Sequence, residues 1–125
     1  MPLLHAVTLC LGFIFLSIHA TAEYYDLYFY YRLLDIPVHI LGGVFLVLIL
    51  HTSTSLGLLR VRYANSRFFI YIITIVLLLW EIFGIARYGG FKPYFISDTL
   101  LDIVFGILGC VMGAFIYSLI QKQSS

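Results

Sequence analysis

The chain is expected to be an all-α, polytopic membrane helical bundle, and three observations lead there. Hydrophobic residues make up 62% of its 125 positions, charged residues only 10%, and the mean hydropathy is +1.05. A soluble domain needs far more polar surface than that. Third, the apolar residues fall into four runs, each close to the roughly 20 residues that a helix needs to cross a bilayer core about 30 Å thick. The runs cover about 3–22, 33–52, 67–86 and 99–120, so residues 1–125 read as a single integral membrane domain with no extramembrane domain beside it. Seven Lys+Arg against six Asp+Glu, with no basic run, argue against nucleic acid as a partner. Membrane lipid is the expected surrounding, and oligomer formation is compatible with it.

The first run, 3–22, ends in Ala20-Thr21-Ala22, which resembles a signal-peptidase site. No Lys or Arg precedes the run, and it is long for a signal h-region, so it reads as a retained first helix with a cleaved leader as the alternative. On either reading the polar residues considered below stay unchanged. Between the first two runs, the stretch EYYDLYFYYR holds Tyr24, Tyr25, Tyr28, Tyr30 and Tyr31. Tyrosines collect at headgroup level because the ring is apolar and the hydroxyl needs water, so the stretch reads as an interfacial belt. The second aromatic stretch, YGGFKPYF at 88–95, lies between the last two runs, on the same side of the membrane.

Helix polarity follows from charge. The side holding both termini and the 53–66 loop carries Arg60, Arg62, Arg67 and Lys122. The aromatic side carries Arg32, Arg87 and Lys92, diluted by Glu23, Asp26 and Asp98. The positive-inside rule then puts both termini in the cytoplasm, with the aromatic side facing out. Cys10 and Cys110 both lie inside apolar runs, in no metal or redox spacing, and read as packing residues.

The second run opens with DIPVHILGG, placing Asp35 and His39 one helical turn apart at a membrane entrance. Glu81 in LLLWEIFGIA comes about five residues before the third run leaves on that same side, and Asp98 and Asp102 open the fourth run there. At 1.5 Å per residue all five lie within roughly 10 Å of one membrane face. Asp35, His39 and Gly42 share one stripe. Asp98, Asp102, Gly106, Gly109 and Gly113 form another, and small residues mark where membrane helices approach closely. Thr74 extends the polar face of the third run. Asp35 and Asp98 could instead serve as helix caps, with Pro37 tolerated in a first turn. His39, Glu81 and Asp102 lie too deep for that, and charged groups at such depth are costly.

Two chemistries suit the set. Asp35, His39, Glu81, Asp98 and Asp102 offer one imidazole and several carboxylates to a divalent metal, which could activate a water against a lipid-linked phosphate or ester. Without metal, His39 oriented by Asp35 could act as a general base, with Glu81 or Asp102 supplying a proton. These four are the candidate catalytic residues, and the substrate would be lipid-linked or a cell-envelope headgroup. The alternative is a non-enzymatic accessory protein whose acids form a packing network, with Arg32, Arg87 or Lys92 as ion-pair partners. Four helices also leave little scope for alternating access, so transport is the weaker reading.

The order DIPVHILGG, WEIFG and SDTLLDIVFGILGCVMG resembles small bacterial integral membrane proteins of the VanZ-like and YjdF-like group over about residues 30–116. The resemblance carries to Asp35, His39, Glu81, Asp98 and Asp102 and to Gly42, Gly43, Gly106 and Gly109. It implies a site shared between helices, residence in the bacterial cytoplasmic membrane and a link to glycopeptide resistance. Gly84 stands where relatives often place a second acid after the Trp-Glu pair.

Overall fold

A computed structural model describes residues 2–59, 66–88 and 95–124; for residues 29, 32, 66–70, 85, 87, 88 and 95–99 it describes the backbone alone. All regular structure within those residues is helical, as the apolar runs require. In lipid a backbone can satisfy its own hydrogen bonds locally only by coiling. The four expected spans appear as α1 (Pro2–Tyr24), α3 (Asp35–Ser55), α4 (Ser66–Tyr88) and α5 (Phe95–Ser124), with a single turn, α2 (Leu27–Tyr30), between the first two. Three stretches, Pro2–Tyr24, Asp35–Ser55 and Leu100–Ser124, are long and apolar enough to cross a membrane, and Tyr71–Gly84 is the apolar part of α4 whose side chains are described. The 30 residues of α5 make a rod of roughly 45 Å, so it outreaches the hydrocarbon core.

Local chemistry sets the ends. Asp26 takes a left-handed conformation (φ 52°) and turns the chain out of α1 into α2, a geometry that Asp tolerates better than most residues. A single 3₁₀ turn over Arg32–Leu34 then leads into α3. At the far end of α3, Gly57 is left-handed (φ 74°), its N–H bonds to Thr54 O at 3.1 Å, and Leu58 N–H bonds to Ser53 O at 3.0 Å. Those two bonds satisfy carbonyls that the helix end would otherwise strand.

The bundle is built on the pair α3 and α5, which pack more extensively than any other helices. Contacts between Ile40 and Gly109, between Val44 and Gly113, and between His51 and Tyr117 show that they run parallel. Their backbones meet at glycines. A methyl group on Gly109 would fall on the Ile40 carbonyl, and one on Gly43 would fall on the Gly106 carbonyl and 2.9 Å from Cys110 N. Gly42, grouped by spacing with Asp35 and His39, faces Phe15 of α1 instead, with a ring atom 3.2 Å from where its Cβ would stand. Gly106 likewise faces Leu77 of α4. The correction is one of rotation: residue 43 is on the seam with α5, and residue 42 is a third of a turn away. Buried Cys110 packs in that seam, whereas Cys10 is exposed on the outer surface of α1 and is not a packing residue.

α1 runs antiparallel to α3. Thr8 Oγ1 lies 2.8 Å from Thr52 Oγ1 and His5 Nε2 lies 3.3 Å from Ser55 Oγ, while Phe15 and Phe45 pair at 5.9 Å. Leu4, Val44, Leu48 and Ile120 form a buried cluster where the three helices converge. Replacing Thr8 with valine is expected to lower stability by only about 0.6 kcal/mol, the average for interhelical hydrogen bonds in membranes, as read by thermal unfolding in detergent. Leu9, Phe13, Leu16, Val111 and Phe115 are largely exposed, as expected of side chains that face lipid.

Candidate functional site

The four long helices and the short α2 bring ionisable or aromatic side chains to one end of the bundle. Asp35 begins α3, and His39 follows one turn later on the same side. The N-cap position belongs to Leu34, which is itself helical, and no side chain caps that end. Asp35 is therefore not a cap. Its carboxyl turns along the helix, with Oδ1 3.1 Å from His39 Nε2. Across the α3–α5 seam, Asp102 Oδ1 lies 3.4 Å from the same nitrogen. The His39 side chain is only 10% exposed, Asp102 19% and Asp35 41%, so the group sits just below the surface and opens on the Asp35 side.

One donor atom from each of Asp35, His39 and Asp102 lies within 4.8 Å of the other two. Asp35 and Asp102 each bring a carboxyl oxygen within 4.8 Å of the other, and the Asp102 carboxyl also interacts with that of Glu81 on α4. Two carboxyls this close are held together by a proton or by a cation between them, because ionised carboxylates only accept. Thus the structure gathers Asp35, His39, Glu81 and Asp102. Asp98 belongs to the first turn of α5, but its side chain lies outside the described residues, as do those of Arg32, Arg87 and Lys92, the expected ion-pair partners. Arg60 and Arg62, on which helix polarity rests, also lie outside them, as does the side chain of Arg67.

No family model, curated protein or solved structure matches the chain. The reading of the site accordingly rests on geometry.

Three side chains that the spacing did not single out complete the surroundings. His19 of α1 places Nδ1 2.8 Å from the Tyr28 hydroxyl and packs its ring on Trp80 with centroids 4.9 Å apart. Trp80 in turn meets His39 edge to face at 6.4 Å. Tyr28 thus differs from its neighbours. Tyr24, Tyr25, Tyr30 and Tyr31 are 63–81% exposed, as an interfacial belt requires, whereas Tyr28 turns inward and is half-buried. The expectation that the site is independent of residues 1–22 is therefore corrected: α1 supplies part of its wall. A usable signal existed. His19 lies five residues before α1 ends at Tyr24, the same depth argument that singled out Glu81.

Proposed function

We propose that this chain is an integral membrane protein that binds a divalent cation through Asp35, His39 and Asp102, with Glu81 beside them, and presents it to a lipid or cell-envelope headgroup. One observation carries the reading. A single imidazole nitrogen faces two carboxylate oxygens at 3.1 and 3.4 Å, yet a neutral or protonated ring has at most one hydrogen to offer there. The longer distance exceeds the usual N–H···O range of about 2.7–3.2 Å. Both distances do match the edges of a coordination shell. With metal–ligand bonds of about 2.1 Å, neighbouring ligands stand about 3.0 Å apart in an octahedron and about 3.4 Å apart in a tetrahedron. One nitrogen and several oxygens suit Mn, Fe or Zn, or the harder Mg.

Bound there, a cation would offset the charge of the acids and lower the pKa of a coordinated water, the requirement for hydrolysis or transfer at a phosphate or ester. The protein's own share is to hold the donors at headgroup depth, shield them behind Trp80 and leave the Asp35 side open. The motif order that resembles VanZ-like proteins, a bacterial cytoplasmic membrane and cytoplasmic termini belong to this proposal. Retained cation in purified protein is its test. Wild type should hold about one equivalent of a divalent metal, and Asp102→Asn, which removes one anionic donor and keeps the shape, should weaken binding at least tenfold. Equal and negligible metal in both would sink the reading.

A second reading has its own observation. Among the described residues no buried side-chain nitrogen or oxygen lacks a hydrogen-bond partner, so the cluster could serve packing alone. On that reading Asp102→Asn lowers thermal stability and leaves metal content unchanged.

A further inference from the structure

His39 meets both acids through a single atom. Nε2 stands 3.1 Å from Asp35 Oδ1 and 3.4 Å from Asp102 Oδ1, which fixes where that nitrogen lies but leaves the imidazole free to swing about it. The swing matters because the nitrogen lone pair lies in the ring plane, so a cation is held only where that plane points. A contact to the ring itself must set the plane. Trp80 makes one: its indole meets the His39 ring at 76° with centroids 6.4 Å apart, inside the edge-to-face range that aromatic pairs prefer. The indole is packed in turn by two rings of α1, Phe15 at 6.3 Å and His19 at 4.9 Å. Those two lie nearly parallel, 11° between planes, and His19 is tethered through Nδ1 to the Tyr28 hydroxyl at 2.8 Å. Trp80 nonetheless stays 39% exposed, so apolar filling alone does not call for an indole there. It also neighbours Glu81, whose carboxyl interacts with Asp102, so one turn of α4 serves the same centre twice.

We propose that Trp80 is the positioning residue of the centre, holding the His39 ring in the plane that aims Nε2 at the space between Asp35 and Asp102 before any cation arrives. This rests on the cation reading above and adds what makes the nitrogen a ready ligand. Metal-ligating imidazoles owe their orientation to groups outside the ligand shell, and losing such a group costs about 10–100-fold in affinity. Here a ring contact takes that part. A ligand held in place beforehand loses less freedom on binding, and the difference appears as affinity. Phe15, His19 and Tyr28 touch no cation in this scheme; they keep the indole from turning away from His39.

The experiment titrates Co²⁺ into the full-length chain in detergent and follows the visible absorption of the bound ion, with thermal unfolding read alongside. Trp80→Leu, which keeps apolar bulk and loses the ring, should weaken Co²⁺ about tenfold and shift its absorption bands. Trp80→Phe, which restores an aromatic ring, should recover most of the affinity and the wild-type bands. Wild type that binds Co²⁺ with Trp80→Leu unchanged overturns the role of Trp80 and leaves the centre standing. A lower melting temperature with unchanged affinity and bands, the mark of packing alone, does the same. So does a Trp80→Phe no better than Trp80→Leu. No binding by wild type overturns both readings. A second measurement needs no altered Trp80 and so survives a variant that does not fold. With ¹³C-labelled histidine rings, the His39 signals, assigned by their loss in His39→Gln, should carry the displacement that a neighbouring indole causes. They should keep it when diamagnetic Zn²⁺ binds. A ring that swings on binding, with that displacement lost, decides against Trp80.

Discussion

Replacing His39 with alanine is expected to abolish cation binding, with an affinity loss of at least a hundredfold, about 3 kcal/mol. No other substitution should cost as much. His39 Nε2 is the atom that both Asp35 and Asp102 face, so its removal deletes the nitrogen donor and leaves two carboxylates opposed across the gap. Repulsion between them would add a stability cost. Breaking a fully buried pair by removing one partner costs about 3–5 kcal/mol, and because the Asp35 side chain is 41% exposed a loss of about 1–3 kcal/mol is expected here. His39→Gln separates the two effects. Its amide can still donate to one acid, so part of the stability should return while cation affinity does not. Isothermal titration with Mn²⁺ or Zn²⁺, paired with thermal unfolding in detergent, reads both. Wild-type affinity in His39→Ala would mean that the imidazole is no ligand.

The second large effect is expected from Gly109→Ala, far from any charge. A methyl group there would fall on the Ile40 carbonyl, a backbone atom that cannot move aside as a side chain can. The α3–α5 seam must open. Overpacking of this kind costs about 1–3 kcal/mol. Because His39 precedes Ile40 and faces Asp102 across the same seam, the opening should also lengthen that distance and weaken cation affinity about tenfold or more. Gly84→Ala is the control. Among the described residues nothing stands within 4 Å of where its Cβ would be, so it should be neutral, or more stable by up to about 1 kcal/mol through helix propensity. Equal melting of the two variants would show that the crossing tolerates a methyl group.

Much of the site was legible before any coordinates because a membrane converts sequence position into depth. A helix rises 1.5 Å per residue and must begin and end near the two faces, so Asp35, His39, Glu81 and Asp102 could be placed at one level by counting. The same count reaches His19, whose position beside a possible cleavage site drew the reading elsewhere. Rotation about each helix axis was less legible. Gly42 and Gly43 both fit a small-residue seam, and a near-uniformly apolar helix carries little amphipathic signal to choose between them. Tyr28 was indistinguishable from the other tyrosines of its stretch, since an inward hydroxyl is recognised only by the partner it finds.

The amino-acid sequence by itself determined that this protein is a bundle of membrane-crossing helices, where each span begins and ends to within a few residues, and that its acids and His39 gather near one face. Those follow from hydrophobic length and helical rise, which are local quantities. Only the tertiary structure decided that one nitrogen of His39 faces two acids from two parallel helices, that Glu81 joins them, and that α1 and α2 bring His19 and Tyr28 to the wall. Those depend on how far apart and at what rotation the helices pack. That is set where backbones touch at Gly43 and Gly109, tens of residues apart along the chain and in contact only once it has folded.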